Sequence, residues 1–321
     1  MSALRVVVAS DAIGDLDSRA AGVALASGWV AAGEVMVAVV PLAEGGEPLA
    51  EALSGLVDGQ VQRSDGRWRV DTADTLAVGL HPGGGSGEEV GAWLGAVLSS
   101  RPSPPGRIII DLTAITAGQG GRGLLAALSA HRRLLAGADL IGVVRADERD
   151  LPLLGLRGAV ARRGYEAKLD PAEVLRAEGS MGEWLAHVGQ PDLPGAGAAG
   201  GGGAAVLALG GRLAGGVDLC AEIAGLASTV GAAEVVVTGC TDFHVGNRGG
   251  PIVGFVAGLA ESSQRPCLVF AVESSLSRRE MRTFGVEAAY AISAPFADPP
   301  GVSAAALRVA RGWLGARRQT T

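Results

Sequence analysis

Short runs rich in valine and isoleucine recur along this chain, separated by longer stretches of alanine and leucine. That alternation constrains the fold most. β-Branched runs joined through amphipathic helices assemble into parallel sheets covered by helices. Runs at 5–9, 35–40, 107–111, 140–144, 234–238, 267–272 and 288–292 read as strands. Apolar residues at helical spacing predict helices over 18–32, 47–56, 88–98, 121–136, 204–213, 251–262 and 303–316. The fold class is therefore α/β.

Residues 59–80 break the rhythm. "GQVQRSDGRWRVDTADTLAVGL" alternates on both sides of an SDGRW turn, a β-hairpin signal foreign to strand–helix–strand units. The expected organisation is two three-layer α/β domains with a cleft between them. A Rossmann-like domain takes residues 1–58 and 225–321, and a second domain, 59–224, is inserted into it and holds the hairpin. Two consecutive domains with a break near Gly195 are the alternative. A length of 321 residues accommodates either.

A net charge of −6 weighs against a nucleic-acid surface, which needs clustered lysine and arginine. The start, "MSALRVVVASDA", has one arginine and an apolar run too short for a secretory leader, so it reads as a first buried strand. No apolar run approaches the roughly 18 residues of a membrane span. Neither nucleic acid nor membrane is an expected partner. Cys220, Cys240 and Cys267 form no close pair, which fits a reducing, cytoplasmic setting. Lys168 is the only lysine.

"PGAGAAGGGGAAVLALGGRL" (194–213) allows three local readings: a linker, a phosphate cradle at a helix start, or a helix packed closely on backbone. It lacks the Gly-Lys-Ser/Thr of a P-loop and follows no recognisable strand, so GAGAAG is a weak dinucleotide fingerprint.

Taken with "LAGGVDL" (213–219) and the following "AEVVVTG" (233–239), the stretch resembles the bacterial two-domain glycerate kinase family. Weaker likenesses occur in order: "VVVASDAIGDL" (6–16), "PLAEGGE" (41–47), "GGRGLLAAL" (120–128) and "LPLLGLRGAVA" (151–161). The resemblance implies ATP- and Mg²⁺-dependent phosphorylation of glycerate. Such phosphoryl transfer rests on positioning and charge neutralisation. It implies catalytic roles for Asp11, Glu44 and His244. Gly45, Gly46, Lys168, Gly195, Gly197, Gly200, Gly201 and Arg248 would contact substrate or nucleotide. Glu148 and Asp150 would be the magnesium ligands.

The chain also departs from the family pattern. Ile13 and Gly14 stand where a lysine is expected, Glu44 replaces an aspartate, and 115–119 have lost a carboxylate and an amide. Cys240 stands at a glutamate and His244 at an aspartate, in a shortened loop where Asp242 and Arg248 are possible substitutes. The expected function is that of a glycerate-kinase-like protein with impaired or lost catalysis and a residual ligand-binding or regulatory role. Alternatives are an active kinase for glycerate or a related small hydroxy acid, and different chemistry at Cys240 and His244, as thiolate nucleophile or zinc ligands. His81, His131 and His187 read as surface or packing residues, and Trp29, Trp93, Trp184 and Trp313 as core.

Overall fold

The computed structural model describes residues 3–81, 83–115, 121–292 and 298–319, without the side chains of 316–319. In chain order, β1 (Leu4–Ser10), α1 (Ser18–Ala32), β2 (Val35–Pro41) and α2 (Gly46–Leu56) come first. A meander follows: β3 (Val61–Ser64), β4 (Arg67–Asp71) and β5 (Thr75–Leu80). Next come α3 (Gly87–Ser100), β6 (Arg107–Asp111), α4 (Arg122–Ser129), α5 (Arg132–Leu135) and β7 (Asp139–Val144). Then come α6 (Ala159–Glu166), α7 (Pro171–His187), α8 (Gly202–Ala208), β8 (Arg212–Gly215), α9 (Gly216–Ala224) and α10 (Leu226–Ala232). The chain closes with β9 (Val235–Phe243), α11 (Gly250–Ser262), β10 (Cys267–Ser274), α12 (Arg278–Arg282), β11 (Ala288–Ala291) and α13 (Pro299–Gln319).

The chain falls into two compact units. The first comprises Met1–Ala43 and Cys220–Thr321, and the second Glu44–Leu219. Both chain ends therefore belong to one unit, and no break falls near Gly195.

In the first unit five parallel strands lie in the order β11-β10-β9-β1-β2, the five foreseen for the Rossmann-like sheet. Val6, Val8, Val237 and Phe270 bury one face of this sheet against Trp29 of α1 and Ala305, Ala306 and Ala310 of α13. α1 begins where the Asp17 side chain accepts a 2.8 Å hydrogen bond from the Ala20 N–H, a standard N-cap. It lies so close to α13 that a Cβ on Gly28 would stand 2.3 Å from the Ser303 carbonyl oxygen.

In the second unit six strands follow sequence order, β3 to β8; the first three are antiparallel and β5 to β8 parallel. Trp68 of β4 is fully buried over Gly79 of β5, where a Cβ would meet its ring at 2.4 Å. Three differences from the sequence expectation appear here. α2, assigned above to the terminal segments, packs on β4 and β5, because its buried Leu49 and Leu53 cover the meander. The helix expected over 121–136 is interrupted between α4 and α5. The helix expected over 204–213 stops at Ala208; Gly210 turns the chain at φ +81°, and Arg212–Gly215 becomes β8 beside β7. Tertiary pairing makes that strand, helped by Arg212, whose guanidinium donates to Asp139 at 3.1 and 3.2 Å. Among the described residues no helix is long and apolar enough to cross a membrane.

Candidate functional site

The glycine-rich stretch is buried from Gly195 to Gly203 and is no linker. Gly195, Gly200 and Gly201 have φ of +80°, +63° and +106°, which side chains of L-residues resist. The Gly197 N–H donates to the Leu151 carbonyl at 2.9 Å, and a Cβ there would stand 2.3 Å from the Pro152 carbonyl oxygen. Close backbone approach is what these glycines permit.

The turn forms one wall of a cavity of about 280 Å³ in the second unit. Gly197, Ala199 and Gly200 face Arg145, which follows β7, and Arg162 and Arg163 of α6; Thr113, Glu148 and Glu166 complete the polar lining. This is beyond the carboxyl ends of β6 and β7, where parallel sheets bind ligands. The Ala199 N–H donates to a Glu148 carboxylate oxygen at 3.2 Å. Asp147 bridges Arg145 at 3.2 Å and Arg162 at 3.8 Å, and Arg162 also pairs with Glu166 at 3.1 Å. A second cavity of about 360 Å³ shares Ala159, Arg163 and Gly200 with the first, and Leu153, Val160, Leu169 and Met181 make it apolar.

Behind these walls Asp111, at the end of β6, is fully buried. Its carboxylate accepts hydrogen bonds from the N–H groups of Gly46 (2.6 Å) and Thr113 (2.9 Å) and from the Thr113 hydroxyl (2.7 Å). Burial pushes its pKa up, and the three donors oppose the rise. Thr113 crowds Gly45 in turn: a Cβ there would lie 2.4 Å from its hydroxyl oxygen. The Gly45–Gly46 turn is thus clamped beside Glu44. Burial raises the Glu44 pKa; the Arg145 charge opposes this and Asp147 adds to it.

The remaining expected residues divide between the units. In the second, Lys168 is exposed, lines neither cavity, and sits at φ +54° where α6 ends. Its N–H donates to Tyr165 and that of Leu169 to Gly164, the two bonds of a Schellman cap. Asp150 is exposed and lines neither cavity. Of its neighbours, Asp147 pairs with Arg145 as its chain position suggests, whereas Arg149 pairs with Asp218.

In the first unit Asp11 follows β1 and accepts a 2.7 Å bond from the Ala12 N–H, while Ile13 is fully buried against Gly239. The Gly14 N–H donates to the Thr241 hydroxyl at 2.9 Å. Cys240 is almost inaccessible; burial, with Asp11 and Asp242 adding to it, pushes its thiol up to about 12. A thiol raised in this way is less readily ionised than an ordinary one. The exposed His244 caps its own loop, its Nδ1 accepting from the Gly246 N–H at 3.1 Å. Asn247 ties the same loop to the backbone of Asp242 and His244. The Arg248 guanidinium lies 4.5 Å over the Phe284 ring. Among the described residues no group of three or more His, Cys, Asp or Glu side chains is arranged to hold a metal. The 116–119 part of the altered 115–119 segment lies outside the described residues.

Residues 106–311 match the model of the glycerate kinase family. The chain belongs to that family. Uncharacterised proteins of Mycobacterium bovis and Mycobacterium tuberculosis are each 30% identical to it over 332 residues, covering 91% of this chain and 85% of theirs. The crystal structure of a "putative glycerate kinase 2" from Salmonella typhimurium LT2 superposes with a TM-score of 0.77 at 19% identity, over 99% of this chain and all of that one. That likeness is one of fold.

In this glycerate kinase family protein, sequence reasoning passed over Asp111, Arg162 and Arg163. An aspartate closing an Ile-Ile-Ile strand was a readable signal, since a carboxylate there needs donors. The two arginines carried none in so arginine-rich a chain.

Proposed function

We propose that this protein binds a small acid or nucleotide and that the phosphoryl transfer of its family is impaired or lost in it. The observation that carries this reading is Lys168. It is the only lysine and the resemblance implies that it contacts substrate or nucleotide, yet it is exposed, lines neither cavity and closes a helix. Without it, the family's phosphate contact at that position is missing from the cavity. The buried Cys240 and loop-capping His244, standing where the family has carboxylates, support the same conclusion.

Ligand binding survives on this reading because the polar cavity keeps three arginines against the glycine turn. Magnesium takes one or two carboxylates along with nucleotide phosphates and water. Glu148, in the cavity lining, fits that demand, and Asp150 does not. Bound Mg²⁺ would neutralise phosphate charge.

A coupled assay with ATP and glycerate tests the proposal. Turnover well below about 1 s⁻¹, the lower end for kinases, is expected, together with a rise in Tm when Mg·ATP is added. Turnover at ordinary kinase rates would overturn it in favour of an active kinase with a rearranged site.

A further inference from the structure

We infer that β2 is the seam of a two-fold dimer, in which the free edge of the first unit's sheet pairs antiparallel with the same edge of a second copy of this chain. The inference is independent of the ligand-binding reading above.

The sheets end on β2 and β11 in the first unit and on β3 and β8 in the second. Open edges invite pairing with other chains, and short strands or charged side chains blunt them. β11, β3 and β8 have four residues each, and β3 and β8 also carry Arg63 and Arg212. β2 has seven residues, VMVAVVP, and no charge. The Leu4 N–H donates to the Glu34 carbonyl and the Leu42 N–H to the Ser10 carbonyl, so the even-numbered residues turn toward β1. The N–H and C=O groups of Val35, Val37 and Val39 therefore point out of the sheet, past its last strand. This edge lacks the guards that the other edges have.

α1 extends the same surface. Its Gly22 lies against Val39 of β2 and its Gly28 against α13. Helical spacing places Arg19, Val23 and Val30 on the flank opposite Gly28, over the β2 edge. Val23 and Val30 are 50% and 55% exposed, and Met36 on β2 is 64% exposed.

The edge is complementary to itself, which is what a two-fold interface requires. With Val37 opposite the partner's Val37 and Val35 opposite the partner's Val39, each opposed pair exchanges both of its N–H···O bonds. Met36 then falls beside the partner's Ala38, a large side chain against a small one. Sliding one way sets Val35 opposite the partner's Pro41, which has no N–H to donate. Sliding the other way pushes Val39 past the strand onto the partner's Gly33. Charge selects the same arrangement. α1 joins two parallel strands, so Arg19 lies toward the carboxyl end of β2 and Glu34 just before its start. Both are exposed. Antiparallel pairing brings Arg19 of each copy to the end of the seam where the partner's Glu34 lies.

Sedimentation velocity on the full chain, from about 1 to about 200 µM, tests this. One strand edge and one helix flank make a small interface. The mass should therefore rise with concentration to that of two copies and stop there, because a two-fold interface closes. Val37→Pro removes an outward N–H and no bond to β1, a change that an edge strand tolerates. It should weaken the dimer at least about tenfold. Met36→Lys alters a side chain that is already exposed and should do the same; it replaces Val37→Pro should that variant lose its native circular dichroism. Oxidised Val37→Cys should run as a cross-linked dimer on a non-reducing gel, since opposed hydrogen-bonded residues stand about 5.5 Å apart at Cα, within disulfide reach. The native cysteines are buried and give little background. A monomer at every concentration overturns the inference, as does a mass that climbs past two copies. A dimer that neither Val37→Pro nor Met36→Lys weakens, or that Val37→Cys fails to cross-link, overturns it as well.

Discussion

The backbone N–H of Gly46 donates a 2.6 Å hydrogen bond to a carboxylate oxygen of Asp111, a side chain that solvent does not reach. Through that bond the end of β6 holds the turn beside Glu44. In Asp111→Asn an amide N–H₂ replaces one acceptor oxygen, so at least one of three donors loses its partner. The expected cost is about 1–3 kcal/mol.

The pH dependence of the same variant has a definite sign. Burial raises the folded-state pKa of Asp111, so the folded protein holds this proton more tightly than the unfolded chain. Its favourable contribution is complete below the unfolded value of about 3.9 and is lost as pH rises through the folded-state pKa. Asparagine has no such titration. Urea unfolding of both proteins from pH 4 to 8 should show the wild-type advantage narrowing as pH rises. A widening gap would contradict the assignment.

Gly197→Ala should destabilise the protein by about 1–3 kcal/mol, the usual cost of overpacking. The new Cβ would stand 2.3 Å from the Pro152 carbonyl oxygen, and backbone rather than a mobile side chain must move. Gly254→Ala, where a Cβ meets nothing within 4 Å, serves as control. Equal unfolding midpoints for the two variants would show that the glycine turn has slack.

Lys168→Gly should raise stability by about 1 kcal/mol, because its left-handed backbone at φ +54° is strained for any side chain. ATP affinity should stay the same, since the ammonium lines neither cavity. A drop in nucleotide affinity would return Lys168 to a phosphate-binding role and remove the observation on which impaired catalysis rests.

Cys220, Cys240 and Cys267 are all free and buried, with burial pushing each thiol to about 12. At pH 8 an aromatic disulfide reagent should label the native protein slowly and label all three readily in urea. Rapid labelling of Cys240 alone would favour a thiolate there.

Features with a local cause were determined by the amino-acid sequence alone. The strands around Val6–Val8 and Val235–Val237 and the helix Ser18–Ala32 follow from β-branched runs and helical spacing, which need no distant partner to be recognised. The glycine run likewise marked the family, because close backbone approach tolerates almost nothing else. Tertiary structure decided what depends on meetings between remote segments. Arg212–Gly215 is a strand because β7 lies beside it; its own residues carry no strand signal. The polar cavity assembles Thr113, Arg145 and Arg162 from separate stretches of chain, so no spacing announced it. Lys168 is exposed at the end of α6, a placement its position in the sequence did not reveal. Asp111 looked like the last residue of a strand and became a buried clamp. Proximity and burial set what a carboxylate or an ammonium does, and both are properties of the folded chain.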